Sequence, residues 1–160
     1  MSAEYIFIDE WDVNAPIETT FQTLADWRTY PAWWKPVYLA VNADGPPDIG
    51  SIARQHFKGR LPYHLHTTSQ LVRFEPPREF EIHVEGDLSG RGVWTLTPTS
   101  NGVHVRFDWR VNAERPLLRM LTPILKPLFR WNHHWAIQRA KEGLEPYLLG
   151  LHRGELSAGI

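Results

Sequence analysis

From Val37 to Val111, strand-like runs follow one another across gaps of turn length, and that spacing constrains the chain to an antiparallel meander. Val37–Val41 stops at Asp44-Gly-Pro-Pro47, Ile52–Phe57 at Lys58-Gly59, and Tyr63–Phe74 at Pro76-Pro77. Glu79–Val84 stops near Gly86-Asp87, Gly92–Thr97 stops at Pro98 to Gly102, and Val103–Val111 closes the series. Parallel crossovers need longer connections than these. The last strand alternates, with Val103, Val105, Phe107, Trp109 and Val111 on one face and His104, Arg106, Asp108 and Arg110 on the other. One face of the sheet is therefore buried and the other wet.

The flanks use a different period. Tyr5–Val13 mixes aromatic and β-branched residues and reads as a strand, after which Asn14 caps a helix that tolerates Pro16 in its first turn. Ile17, Phe21 and Leu24 make that helix amphipathic, and Asp26 to Trp34 reads as a helical turn and a loop. From Pro116 to about Leu151 the pattern is helical again. Pro123 and Pro127 predict a break or kink in its first part, followed by roughly 20 unbroken residues, about 30 Å long. A sheet with one apolar face needs a cover, and only this last helix is large enough. The expected fold is α+β: a curved antiparallel sheet wrapped around a long C-terminal helix, with two short helices after the first strand. A single domain over 1–160 is expected, with 152–160 as a frayed tail.

A curved sheet closed by one helix leaves space between them, and periodicity says what faces it. At about 100° per residue, Phe129, His133, Ala136, Ile137, Ala140, Leu144, Tyr147, Leu148 and Leu151 form one stripe. His133 is the one ionisable side chain aimed at the sheet. Three roles are open to it: a structural imidazole bonded to a backbone carbonyl or to Asn132, a ligand anchor, or a general acid/base. Carried back through the hairpins, parity points Gly92, Trp94 and Leu96 inward, then Phe80, Ile82 and Val84. Tyr63, Leu65, Thr67, Ser69 and Leu71 follow, and then Ser51, Ala53, Gln55 and Phe57.

Apolar walls with a few uncharged polar groups suit a small-molecule pocket, although a filled core whose Thr and Ser bond to backbone would share the pattern. The expected ligand-binding residues are Tyr63, Leu65, Thr67, Ser69, Trp94 and Trp109 from the sheet and Phe129, Asn132, His133 and Ile137 from the helix. Trp33 and Trp34 either cap the small helices or gate the pocket mouth. A second stripe, Leu117, Leu121, Ile124, Leu128, Trp131 and Trp135, lies on the opposite side of the helix among Arg115, Arg119, Lys126 and Arg130. It packs under the early helices, forms a dimer contact, or touches a membrane surface.

Several function classes lose support. The 160 residues carry net charge -1, so no global field favours nucleic acid. Without cysteine there is no disulfide, thiolate metal site or cysteine nucleophile. No signal-peptide pattern opens the chain and no run approaches the ~20 apolar residues of a membrane span, so a cytoplasmic protein is expected. His64-x-His66, with His56 opposite, falls on the solvent face, and no metal or cofactor is expected. Gly86 to Gly92 is glycine-rich but reads as a turn rather than a phosphate loop. No nucleophile elbow and no inward pair of carboxylates appears.

The chain resembles the SRPBCC superfamily (START and Bet v 1-like helix-grip proteins), in particular its bacterial polyketide cyclase/dehydrase-like branch. The similar segments are Trp11 to Phe21, Leu24-Ala-Asp26, Tyr30-Pro-Ala-Trp-Trp34, Leu61-Pro-Tyr63 and Glu75-Pro-Pro77, then Gly86 to Trp94 and Phe129-Arg-Trp-Asn-His-His-Trp135. The resemblance implies a helix-grip fold and an internal cavity used by carriers, receptors and aromatase/cyclases. The expected function is binding of a hydrophobic or aromatic small molecule, lipid- or polyketide-like, as carrier or sensor. The alternatives are a cyclase/dehydratase using the same cavity with His133 as its catalytic residue, and a dimeric or membrane-touching module.

Overall fold

In a computed structural model, described here for residues 4–61 and 63–152, seven strands form one antiparallel sheet. The strands are β1 (Glu4–Val13), β2 (Tyr38–Ala43), β3 (Ile52–Phe57), β4 (Leu65–Glu75), β5 (Glu79–Gly86), β6 (Leu88–Pro98) and β7 (Val103–Ala113). Their order across the sheet is β1-β7-β6-β5-β4-β3-β2, a meander whose first strand returns beside the last. Helices α1 (Ile17–Ala25) and α2 (Tyr30–Trp33) follow β1, joined by a short 3₁₀ turn, and α3 (Pro116–His152) crosses the concave face. This is the helix-grip arrangement. The expected tail lies outside the described residues apart from His152 at the end of α3.

The burial parity holds along every strand of the meander that it was carried through. Val103, Val105, Phe107 and Val111 are buried, as are Trp94, Leu96, Phe80, Ile82, Val84, Leu65, Thr67, Ser69, Leu71, Ala53 and Gln55. The register shifts between Leu71 and Arg73, beyond the last residue so assigned, and past that point Phe74 joins the core. Rings stack along the inner face, with Trp94 on Phe107 at 4.1 Å and Phe107 near Trp109 at 5.5 Å.

The two halves of α3 meet the sheet differently. In its C-terminal half Ile137, Ala140, Leu144 and Leu148 enter the main core with Phe21, Leu24 and Trp33. Gly143 lies so close to the Trp33 carbonyl that any Cβ there would collide with it. The Trp34 indole donates to the Ala136 carbonyl at 2.8 Å. Trp33 and Trp34 are both buried and pack the small helices into the core, and Trp34 also borders a cavity beneath α3. The N-terminal half of α3 covers only a small cluster of Tyr5, Val111 and Ala113, flanked by partly buried Phe7, Trp109, Leu118 and Phe129.

Four expectations are corrected. The helix is continuous through Pro123 and Pro127 because both face solvent, where water satisfies the carbonyls left without a donor. Asn14 does not cap α1: Pro16 occupies that position, and the Asn14 amide instead donates to Glu145 at 3.0 Å. The glycine-rich segment is no long turn, since β6 begins at Leu88. Gly90, at φ 152°, leaves room for the Arg110 carbonyl that a Cβ would strike. The second stripe divides: Trp135 packs against the main core, whereas Ile124, Leu128 and Trp131 are exposed and do not pack beneath the early helices. The Leu117 side chain lies outside the described residues.

Leu144 carries no exposed surface, so Leu144→Ala is expected to cost about 2–5 kcal/mol in denaturant unfolding. On the outer face, His104 bonds Asp12 at 2.8 Å and Glu10 at 3.0 Å. The hydrogen bond with Glu10, then that with Asp12, raises its pKa above the ordinary value. A raised pKa stabilises the fold below the unfolded value, and that contribution is lost as pH rises through the folded one. His104→Gln is therefore expected to lower the thermal midpoint slightly at about pH 6 and not at about pH 9, the effect being small because the pair is exposed.

Candidate functional site

Two adjoining cavities lie between α3 and the sheet, one beneath its N-terminal half and the other beneath its middle. One, of about 110 Å³, is bounded by β1, β7, the loop before β4 and α3. The other, of about 80 Å³, extends towards β3, β4 and β6. Each exceeds the roughly 10–15 Å³ that one water requires. Val37, Phe57, Trp109, His133 and Ala136 line both, so they form the partition between them.

All ten residues expected at a pocket lie on these walls. Tyr63, Leu65, Phe129 and Asn132 line the larger cavity; Thr67, Ser69, Trp94 and Ile137 line the smaller; Trp109 and His133 border both. Sequence reasoning missed Tyr5, Phe7 and Asp9 on β1. The odd residues of β1 alternate inward, but Ile6 and Ile8 make the even face apolar too, so parity is ambiguous on that strand.

Asp9 changes the chemistry of the site. It is buried, and its Oδ2 lies 2.8 Å from His133 Nε2. The imidazole also stacks on Phe7, with ring centroids 3.7 Å apart and planes 9° from parallel. A carboxylate accepts the imidazole proton in such a bond, so Nε2 is the donor and Nδ1 is left as the ring's second nitrogen. His133 is therefore bonded to a carboxylate, not to a backbone carbonyl or to Asn132. A paired carboxylate and imidazole therefore stand at the partition, Asp9 being the member that the sequence did not aim inward.

The remaining polar groups are tied down. Asn132 Oδ1 accepts from the Leu61 amide at 2.9 Å, and its Nδ2 donates to the Tyr63 hydroxyl at 3.4 Å. Gly59 sits against the same carboxamide, where a Cβ would collide. Burial, and then the nearby Tyr5, push the Tyr63 phenol up to about 12 against the opposing Asn132 bond, so it stays protonated at neutral pH. Because that hydroxyl accepts from Asn132, its own proton is free for a molecule in the cavity. In the smaller compartment Thr67 and Ser69 both donate to Gln55 Oε1, at 3.1 and 3.0 Å.

On the solvent face His56 stacks on His66 and lies 2.6 Å from His64. Among the described residues, no group of three such side chains is placed to hold a metal ion.

A family model described as polyketide cyclase / dehydrase and lipid transport matches residues 9–145. No curated protein matches the chain in sequence. Among solved structures, TTHA0849 from Thermus thermophilus is similar, with TM-score 0.75 at 14% identity over 92% of this chain and 98% of that one. The di-domain ARO/CYC BexL, from the BE-7585A biosynthetic pathway, gives 0.65 at 15% identity over 89% of this chain and 50% of that one. A norcoclaurine synthase point mutant from Thalictrum gives 0.61 at 11% over 95% and 98%. At these identities the likeness speaks for the fold.

Asn132→Ala removes the acceptor for the Leu61 amide, so hydrogen exchange at Leu61 is expected to accelerate, with a stability loss of about 1 kcal/mol.

Proposed function

We propose that this chain, which belongs to the polyketide cyclase / dehydrase and lipid transport family, binds a hydrophobic or aromatic small molecule in the paired cavity and carries or senses it. The observation behind this reading is the gap beneath the N-terminal half of α3. Its walls are mostly apolar and aromatic, while Tyr63 and His133 offer it polar atoms at two points. Apolar walls supply affinity, and a few fixed polar groups supply orientation. Trp109, Phe129 and Leu65 would contact the ligand body, and Tyr63 would donate to an oxygen. Trp94, Ile137, Thr67 and Ser69 would bound a portion reaching past the partition, with Asn132 bracing the loop that carries Tyr63.

The Asp9–His133 pair favours a second reading, an enzyme of the cyclase or dehydratase type. A carboxylate that holds Nε2–H orients the imidazole, so Nδ1 is the nitrogen left to take a proton from carbon or oxygen and return it. In this reading His133 is the catalytic residue and Asp9 a positioning residue.

Native mass spectrometry of protein purified from its own host is expected to show a co-purified small molecule, and a uniformly ligand-free protein that also binds no apolar fluorescent probe would reject the binding reading. For a carrier, His133→Ala is expected to weaken binding only modestly. For an enzyme, the same change abolishes turnover while binding persists, and Asp9→Asn lowers turnover and alters its pH profile.

A further inference from the structure

On the outer side of α3, away from the cavity, large apolar side chains face solvent. Met120 is 68% exposed, Ile124 76%, Leu128 42% and Trp131 50%. At about 100° per residue these four fall on one face of the helix. An isolated exposed leucine has no meaning, but four in register, including a tryptophan, form a patch that a monomeric protein in water seldom shows.

The charge beside this face is one-sided. From residue 115 to residue 141 the sequence contains no Asp or Glu, although the whole chain carries net charge -1. Arg119, Lys126 and Arg130 fall together on one flank of the apolar stripe, with Arg115 at its edge. Arg119 has one carboxylate partner, Glu114, at 3.3 Å. Arg115 donates to the His64 carbonyl at 2.8 Å, and Lys126 lies over the Tyr5 ring at 5.4 Å.

We propose that the N-terminal half of α3 docks on an anionic lipid bilayer, lying in the interface plane. Met120, Ile124, Leu128 and Trp131 would enter the boundary between headgroups and acyl chains, and the exposed Arg119 and Arg130 would face the headgroups. An apolar face with a cationic flank is the pattern of an interfacial helix, and tryptophan suits that depth because its ring is apolar and its N–H polar. Another protein copy would bring the same cations against its own, since the segment has no carboxylates to meet them. No helix among the described residues is long and apolar enough to cross a membrane, so contact is superficial. The opposite side of this half-helix, through Leu118 and Phe129, roofs the larger cavity. Docking requires no bound ligand, so vesicle partitioning reads it separately from the cavity's function.

The test is flotation of the full chain with phosphatidylcholine vesicles, with and without about 30% phosphatidylserine, at about 50 mM and about 500 mM NaCl. Binding is expected to the anionic vesicles only and to weaken at high salt. It should fall at least tenfold in Ile124→Ser/Trp131→Ser and in Arg119→Glu/Arg130→Glu. Both pairs are solvent-facing, so an unchanged circular-dichroism melting curve confirms that the fold is kept, and either pair suffices should the other not fold. Absence of vesicle binding, or binding equal in both variants and wild type, overturns the proposal. So does a concentration-dependent dimer, seen by sedimentation and lost in the same variants, that leaves vesicles unbound.

Discussion

The seating of the C-terminal half of α3 is the constraint on which the rest of the molecule depends. Gly143 allows the helix backbone against the Trp33 carbonyl, and Ala140, Leu144 and Leu148 disappear into the core on either side. Trp34 then ties its indole to the Ala136 carbonyl one turn below Ala140. With that half fixed, the other half of the same rigid rod spans β1 and β7 wherever the geometry puts it. The small residues Val37, Gly59 and Ala113 among the larger rings beneath, with Ala136 on the helix, leave part of the span unfilled. A helix packed equally well along its length would have left no cavity.

The polar groups inside that span obey the rule that buried polarity must be paired. Gln55 takes two hydroxyls, Asn132 holds a backbone amide and a phenol, and His133 meets Asp9. Each tie immobilises a side chain before any ligand arrives, which lowers the entropic cost of binding. The Asp9–His133 pair differs from the others because it joins the two edges of the architecture, the first strand and the last helix. It fixes the imidazole on Phe7 and at the partition between compartments, where a proton acceptor would serve either orientation or chemistry.

Much of this was legible along the chain because local periodicity and burial agreed. The β7 alternation, carried back through the hairpins, placed the inner face of β6, β5, β4 and β3, and the helical stripe placed His133 on the sheet side. Reading failed where two patterns competed. On β1 both faces contain apolar residues, so Asp9 could not be aimed. On α3 the prolines look like breaks in isolation, yet at solvent-facing positions they leave the helix continuous. The glycines at 86–92 look like a turn, although Gly90 serves close strand approach inside β6.

By itself, the sequence determined the element order, the antiparallel meander, the covering helix and the list of side chains facing inward, because each follows from a period of two or of 3.6 and from short gaps. Tertiary structure alone decided which inward-facing residues meet one another. Asp9 and His133 are 124 residues apart, and no local pattern encodes their 2.8 Å contact. It alone also showed that the inner surfaces do not close completely and that Ile124, Leu128 and Trp131 of the second apolar stripe stay uncovered. Filling and coverage depend on how rigid elements fit in three dimensions, whereas periodicity reports only which way each side chain points.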